Sequence, residues 1–203
     1  MAGQFITLEG IDGAGKSTHA AFIASRLRER GRTVVQTREP GGTAVGEKIR
    51  DLVLGEAMDV HAETLLIFAA RAQHLHEVVR PALAAGSTVL CDRFTDATFA
   101  YQCGGRALPE SHVEALARLT HGDLRPGLTL LFDTDAATAH ARVVARSAAD
   151  RFEREDLGFF ERVRARYLEQ ARREPDRFCV LDGNQRIEAV QSALARALDE
   201  RIG

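Results

Sequence analysis

The sequence has little that would suit a membrane or a nucleic acid. No apolar run in its 203 residues is long enough to span a bilayer, and the N-terminus lacks the basic and apolar regions of a targeting signal. The formal net charge of −2 gives no basic field, so neither a membrane nor a nucleic acid is expected as a partner. Lysine occurs only at Lys16 and Lys48, so nearly all basic residues are arginine, which suits bidentate phosphate binding.

Cysteine is also scarce. Cys91, Cys103 and Cys179 are odd in number and show no CxxC spacing, and the first and last lie in apolar, strand-like runs. Reduced thiols are therefore expected rather than a disulfide or a metal site, which favours a cytoplasmic location. His74 and His76 fall on different faces of a predicted helix and have no cysteine near them in sequence, so no zinc site is predicted.

Strand-like and helix-like apolar patterns alternate along the chain, without a repeat or a low-complexity linker. Strands separated by helices predict an α/β fold formed by a single domain, residues 1–203. We expect a five-stranded parallel sheet with helices on both faces and ligands at the carboxyl ends of the strands. The predicted strands cover 5–8, 33–35, 87–91, 128–132 and 178–181, and the predicted helices include 43–54, 61–85, 95–103, 109–121 and 136–146.

The stretch LEGIDGAGKST fits the pattern G-x-x-x-x-G-K-[ST] between a predicted strand and a predicted helix. In such a P-loop, backbone N–H groups surround nucleotide phosphates, the lysine neutralises their charge and the serine hydroxyl can ligate Mg²⁺. The pattern therefore predicts a nucleotide phosphoryl donor. The candidate donor-binding residues of this P-loop, residues 10–18, are Gly10, Gly13, Ala14, Gly15, Lys16, Ser17 and Thr18.

Two charged residues follow the strand predicted at 87–91. Asp92 stands where a P-loop protein holds Mg²⁺ with a carboxylate, so Ser17 and Asp92 are the candidate metal ligands. A helix N-cap is the alternative role for Asp92, and the two roles can coexist. Arg93 is either a surface arginine or a phosphate clamp, and its place at the carboxyl end of a strand favours the clamp.

A second group of residues suggests an acceptor. TREPGGT forms a turn after the second strand, and Phe68 and Arg71 share one face of a predicted helix. An aromatic plane beside a guanidinium could receive a base and bond to its edge. Taken alone, the pattern favours Phe68 as a core residue and Arg71 as a surface charge.

The motifs LEGIDGAGKST, TREPGGT, LLIFAARAQH, CDRF and AYQCGGR occur in the order and spacing of the thymidylate kinases, which the chain resembles over essentially its whole length. The resemblance implies a P-loop nucleoside-monophosphate-kinase fold with ATP and Mg²⁺ as donor. It implies transfer of the γ-phosphoryl group to dTMP, giving dTDP and ADP, and a homodimer. Asn184 and Gln185 in LDGNQ fit either a turn that lines the adenine pocket or a plain helix cap.

The resemblance also implies roles in an acceptor region at about 39–106. Phe68 would stack on thymine, Arg71 would read its edge, and Tyr101 would crowd a ribose 2′-hydroxyl. Ala97 departs from a common serine, and Phe94 from a tyrosine or histidine. The candidate substrate-binding residues are Asp12, Glu39, Arg50, Phe68, Arg71, Arg93, Thr98, Tyr101 and Gln102, with Arg50 and Arg93 as clamps on the acceptor phosphate.

Phosphoryl transfer needs positive charge at the transferring group. Some relatives carry an arginine inside the P-loop, where this chain has Gly13. The resemblance implies a lid at about 146–154 that supplies the charge, with Arg146 as the principal cation and Arg151 as a phosphate contact. Without the resemblance, a solvated polar loop would explain the same residues. The candidate catalytic residues are Asp12, Lys16, Arg93 and Arg146.

Two alternatives remain open at the level of sequence. Another kinase of the same fold could act on dUMP, dCMP or a nucleoside. A P-loop GTPase or ATP-dependent switch is the alternative from a different class. It is disfavoured because neither lysine follows an asparagine, so the guanine-binding signature N-K-x-D is missing.

Overall fold

The computed structural model describes residues 3–145 and 151–202. In these ranges the strands form one parallel sheet in the order β2-β3-β1-β4-β5, with β1 at its centre. The predicted five-stranded α/β architecture is confirmed. The strands are β1 (Gln4–Glu9), β2 (Val34–Arg38), β3 (Thr88–Asp92), β4 (Leu128–Asp133) and β5 (Phe178–Asp182).

Helices connect consecutive strands, as a parallel sheet requires. Two stretches that the sequence predicted as α-helix are π-helical instead, at Leu75–Val79 and Phe99–Gly105. The predicted helix at 61–85 is therefore three consecutive pieces. The α-helices are α1 (Lys16–Glu29), α2 (Ala44–Gly55), α3 (Val60–His74), α4 (Arg80–Ala84), α5 (Thr95–Thr98), α6 (Glu110–Thr120), α7 (Ala136–Val144), α8 (Leu157–Arg173) and α9 (Ile187–Ile202).

The core forms on both faces of the sheet because the central strands carry apolar side chains in both directions. Phe5 of β1 packs with Val89 in one core cluster, and Ile6, which points to the opposite face, packs with Leu90 and Leu130 in another. The helix starts are fixed locally. Thr43, for example, accepts a hydrogen bond from the backbone N–H of Gly46 at the start of α2.

The carboxyl ends of β1, β2 and β3 meet at one edge of the sheet, where Glu9, Arg38 and Asp92 end their strands. The P-loop follows β1 directly and opens α1. Across the two described ranges, no helix combines the length and the apolar composition that crossing a bilayer would require.

Candidate active site

The P-loop is closed around its own lysine. Lys16 Nζ donates to the carbonyl oxygens of Gly10 at 2.9 Å and Ile11 at 3.0 Å, and burial lowers the pKa of this ammonium. Gly13 has φ 83°, and a Cβ there would lie 2.1 Å from the carbonyl oxygen of Ala139 in α7. The loop therefore has no room for a side chain at position 13.

An open cleft extends from the P-loop. The sequence did not identify Arg142, whose Nη1 donates to the carbonyl oxygens of Gly13 at 3.4 Å and Gly183 at 3.0 Å. Gln185 lines the cleft, whereas Gly10 is buried and is not part of the lining. The P-loop residues that line this donor cleft are Gly13, Ala14, Gly15, Lys16, Ser17 and Thr18.

Both predicted magnesium ligands line the donor cleft. Asp92 ends β3, and its Oδ1 is buried with no hydrogen-bond partner. The exposed Ser17 opens α1 on the same cleft. An unpaired carboxylate oxygen beside a hydroxyl is a ligand set that Mg²⁺ accepts, so these residues fit the ion.

Arg93 is the most extensively bonded side chain of the site. Its Nη1 donates to the Gly10 carbonyl oxygen and to the Tyr167 hydroxyl, both at 3.0 Å. Its Nη2 donates to Asp12 Oδ1 at 2.6 Å and to the Tyr101 hydroxyl at 2.9 Å. The backbone of Arg93 adopts φ 72°, a left-handed conformation that these bonds stabilise. Both terminal nitrogens are thus engaged by the protein, and Arg93 anchors Asp12 in addition to its predicted clamp role.

Asp12 is held as an anion. Burial would raise its pKa, but the charges of Arg93 and Lys16 and a hydrogen bond from the Tyr101 hydroxyl at 2.8 Å outweigh burial and lower the pKa to about 2. The carboxylate therefore carries its charge throughout the physiological pH range.

Glu9, which the sequence did not single out, lies beneath this group. It is fully buried, accepts from the Phe94 backbone N–H and the Tyr167 hydroxyl, both at 2.7 Å, and faces Asp96 electrostatically. Burial, reinforced by Asp96, raises the pKa of Glu9 to about 8. The carboxyl thus connects β1 to α8 and to the residue after Arg93.

A second, more apolar cavity lies beside the cleft and contains most of the predicted acceptor residues. Arg71 Nε donates to Glu39 Oε2 at 2.6 Å, and its Nη2 donates to the Thr98 hydroxyl at 3.1 Å. His74 Nδ1 lies 2.8 Å from the other Glu39 oxygen. The predicted residues that line this acceptor cavity are Asp12, Glu39, Arg50, Arg71, Arg93, Thr98, Tyr101 and Gln102, together with Phe94 and Ala97.

The stacking role predicted for Phe68 is not supported by its position. The ring is 2% exposed, packs with Leu108 and Val113, and has the Arg71 guanidinium over it at 4.5 Å from the ring centre. A ring covered in this way offers no face to a base. Ile67, one position earlier and about 100° around α3, lines the acceptor cavity instead.

Arg151, predicted as a phosphate contact, is bonded to the protein on the acceptor side. Its Nη2 donates to Glu63 Oε2, and its Nε and Nη2 lie 3.1 and 2.9 Å from the Val53 carbonyl oxygen. These partners belong to α3 and α2 on the acceptor side. Phe152 follows, lines the acceptor cavity and meets the Tyr101 ring edge-on at 5.7 Å. The described end of the predicted lid therefore covers the acceptor cavity.

A cysteine that is distant from His74 in sequence lies close to it in the structure. Glu39, His74 and Cys91 are buried, and their potential ligand atoms lie within 4.8 Å of one another. The His74 Nε2 lies 2.6 Å from the Thr37 hydroxyl, and Cys91 Sγ donates to the Arg93 carbonyl oxygen at 3.1 Å. This hydrogen bonding, together with the Arg71 charge on Glu39, accounts for the cluster without a cation.

Four residues line both the donor cleft and the acceptor cavity: Asp12, Glu39, Arg50 and Arg93. Arg50 Nη1 donates to the Pro40 carbonyl oxygen at 2.9 Å, and burial lowers the pKa of its guanidinium. Two cations and two carboxylates thus stand where the two spaces meet. Arg146, the predicted principal cation, lies outside the described residues.

A P-loop cleft and a second, more apolar cavity that share one charged wall define a P-loop nucleoside monophosphate kinase. The comparisons identify the family more closely. The thymidylate kinase family model matches residues 8–194. Thymidylate kinases of Pseudomonas putida strain W619 and Methylobacillus flagellatus are 57% and 54% identical. Their alignments cover 94% and 98% of this chain, and the same shares of the relatives. The crystal structure of thymidylate kinase from Ehrlichia chaffeensis superposes with a TM-score of 0.79 at 32% identity, over 98% of this chain and 99% of that one.

The chain belongs to the thymidylate kinase family. It is an enzyme, a nucleoside monophosphate kinase, as the sequence predicted. The family and the fold both oppose the alternative of a GTPase or ATP-dependent switch.

Proposed function

We propose that this enzyme transfers the γ-phosphoryl group of ATP to dTMP at the wall that Asp12, Glu39, Arg50 and Arg93 share. The observation that carries the proposal is that both the donor cleft and the acceptor cavity open onto these four side chains. Transfer between two nucleotides requires their phosphates to meet end to end. A site with one cleft alone would admit water as acceptor.

The donor side is assigned to the P-loop. The backbone N–H groups at 13–18 would surround the phosphates, and Lys16 would turn from the Gly10 and Ile11 carbonyls toward their charge. Ser17 and Asp92 would hold Mg²⁺, which neutralises charge on the β- and γ-phosphates when bound.

The acceptor side is assigned to the groups around Arg71. Arg71, Thr98 and Gln102 would bind the base edge, and Ile67 rather than Phe68 would form the apolar wall beside the ring. Tyr101 stands next to Asp12 and would crowd a 2′-hydroxyl. Arg50 and Arg93 would bind the acceptor phosphate.

The additional cation is assigned to Arg146 in the lid at about 146–154. The support is that a Cβ at Gly13 would meet the Ala139 carbonyl oxygen at 2.1 Å, so the P-loop cannot provide an arginine there. Replacing Arg146 with alanine should lower kcat at least 100-fold and change dTMP affinity little, because such arginines contribute about 10³–10⁵ in rate. Single-turnover kinetics with separate dTMP titrations measure both, and a loss below tenfold would exclude this role.

A coupled assay over a panel of acceptors tests the function itself. dTMP, dUMP, dCMP, thymidine and water are offered with ATP and Mg²⁺, and dTMP should give the highest kcat/KM. A preference for dUMP, or ATP hydrolysis that proceeds equally without an acceptor, would contradict the proposal. Omitting Mg²⁺ should abolish transfer.

We further propose a homodimer in the cytoplasm. Leu65 on α3 and Leu119 on α6 are 56% and 81% exposed, and they lie on helices expected to supply an apolar face. Cys91, Cys103 and Cys179 are all free thiols, which suits a reducing compartment. Light scattering of the purified enzyme measures its mass, and a monomer at micromolar concentration would contradict the dimer.

A further inference from the structure

Glu63 is fully buried and lies behind the acceptor cavity rather than in its lining. Donors surround its carboxylate: Gln102 Nε2 lies 2.7 Å from Oε1, Arg106 Nε lies 3.4 Å from the same oxygen, and Arg151 donates to Oε2. The two guanidinium groups balance the charge of the carboxylate. Glu63 therefore joins α3, the π-helical stretch Phe99–Gly105 and the segment that starts at Arg151.

This arrangement fixes the orientation of the Gln102 amide. A carboxylate can only accept hydrogen bonds, so the amide nitrogen must face Glu63. The amide group is planar, with its oxygen on the side away from the nitrogen. Gln102 is 2% exposed and lines the acceptor cavity, so the group that it offers to a ligand there is the carbonyl Oε1, an acceptor.

Arg71 supplies the complementary donor. Its Nε and Nη2 are bound by Glu39 and Thr98, whereas its Nη1 is buried with no hydrogen-bond partner. Arg71 Nη1 and Gln102 Oε1 thus give the cavity an N–H donor and a carbonyl acceptor for the edge of a base. Thymine matches this pair with its O4 acceptor beside its N3–H donor. Cytosine has the reverse pattern, an amino donor beside an N3 acceptor.

We propose that Glu63 is a positioning residue for base specificity: by holding the amide of Gln102 in one orientation, it makes the cavity select a pyrimidine with a protonated N3 over cytosine. The proposal rests on the proposed function, since it concerns how the same site chooses its acceptor. It explains why a carboxylate that contacts no substrate is fully buried beside two arginines.

The test is Glu63→Gln, which keeps the shape of the side chain. In this variant the single amide oxygen at position 63 stays bonded to Arg151, so the amide nitrogen at position 63 faces Gln102. The Gln102 amide then turns over so that its oxygen accepts from that nitrogen. Its nitrogen then faces the cavity. Because an unpaired buried polar group costs about 1–3 kcal/mol, the ratio of kcat/KM for dTMP to that for dCMP should fall roughly 5- to 150-fold. An equal loss for both nucleotides, with the ratio unchanged, would overturn the proposal.

A double-mutant cycle separates this role from a general structural one. In a Gln102→Met background, Glu63→Gln should leave the dTMP-to-dCMP ratio unchanged, because the amide through which it acts is gone. A further fall in the ratio would overturn the proposal. Glu155→Gln is the matched control: it removes the charge of the carboxylate that accepts from Arg106 Nη2 at 2.7 Å, at a residue that does not bond to Gln102, and it should preserve the ratio.

Glu63→Asp serves if the glutamine variant does not fold. It keeps the negative charge beside Arg106 and Arg151, but the side chain is one methylene shorter and the carboxylate lies farther from Gln102. The dTMP-to-dCMP ratio should therefore fall in this variant too, and an unchanged ratio would overturn the proposal. If the wild-type enzyme phosphorylates dTMP but the Glu63 variants show the same dTMP-to-dCMP ratio as the wild type, the Glu63 role alone is refuted. Wild-type enzyme inactive on dTMP would refute the proposed function, and the Glu63 role with it.

Discussion

Replacing Tyr101 with phenylalanine removes one hydroxyl that joins the two principal charges of the site. The hydroxyl donates to Asp12 Oδ2 at 2.8 Å and accepts from Arg93 Nη2 at 2.9 Å. The ring remains, with its edge contact to Phe152 and the Arg93 guanidinium 4.6 Å from its centre. The change therefore isolates the hydrogen bonds from the packing.

The expected magnitude follows from those bonds. Hydrogen bonds to charged groups contribute about 1.5–3 kcal/mol, which for a chain of this size lowers Tm by about 3–12 °C. If the same free energy is lost from the transition state because Asp12 and Arg93 are less well held, kcat/KM for dTMP falls roughly 10- to 150-fold. Thermal unfolding and steady-state kinetics measure the two effects separately.

Tyr167→Phe is the matched control. Its hydroxyl also bonds to Arg93 and to the carboxyl group of Glu9, but it lines neither cavity. Because the raised pKa keeps Glu9 protonated at neutral pH, only the bond to Arg93 involves a charge, so the stability loss should be somewhat smaller and the effect on kcat/KM several-fold smaller. Equal kinetic effects from the two variants, or a Tyr101→Phe enzyme within twofold of wild type, would refute the reasoning.

Three further predictions concern buried positions. Between pH 4.5 and 8 the folded chain keeps a proton on Glu9 that the unfolded chain has lost, so stability should fall with rising pH by up to about 1.4 kcal/mol per pH unit. Denaturant titrations at several pH values measure the free energy of unfolding, which should depend less on pH in Glu9→Gln than in the wild type. The same pH dependence in both would contradict the raised pKa. Gly13→Ala should abolish ATP binding in calorimetry. Gly31→Ala, also at positive φ but with open space around its Cβ, should lower only the stability. Equal losses of ATP binding in the two variants would contradict the clash at position 13. Ile67→Ala should raise KM for dTMP several-fold, whereas Phe68→Leu should act on Tm alone, and the opposite pattern would restore the stacking role to Phe68.

The sheet was predictable because its signals are local. Each strand is a short apolar run, and the P-loop has a fixed spacing of glycines and lysine that leaves few alternatives. The π-helical stretches were not predictable, since the apolar spacing of their sequences does not distinguish a π-helix from an α-helix. The one at Phe99–Gly105 matters for the site. Its wider turn brings the adjacent Tyr101 and Gln102 to the same cavity.

The residues that the sequence did not single out, and the position of Phe68, share a physical reason: their roles depend on partners far away in sequence. A glutamate on a helix is usually exposed, and the burial of Glu63 is explained only by the hydrogen bonds that it accepts from Gln102 and Arg151. Phe68 and Ile67 are neighbours in sequence, and because Phe68 packs against α6, Ile67 lines the acceptor cavity. Arg142 and Glu9 carry no motif at all.

The charged wall between the two cavities makes each nucleotide part of the other's environment. Any rearrangement of Arg50 or Arg93 on filling one side changes the affinity of the other, and thermodynamic linkage requires this cooperativity to be reciprocal. If ATP tightens dTMP binding by some factor, dTMP must tighten ATP binding by the same factor. A single molecule that joins both nucleotides would gain from this coupling without further contacts.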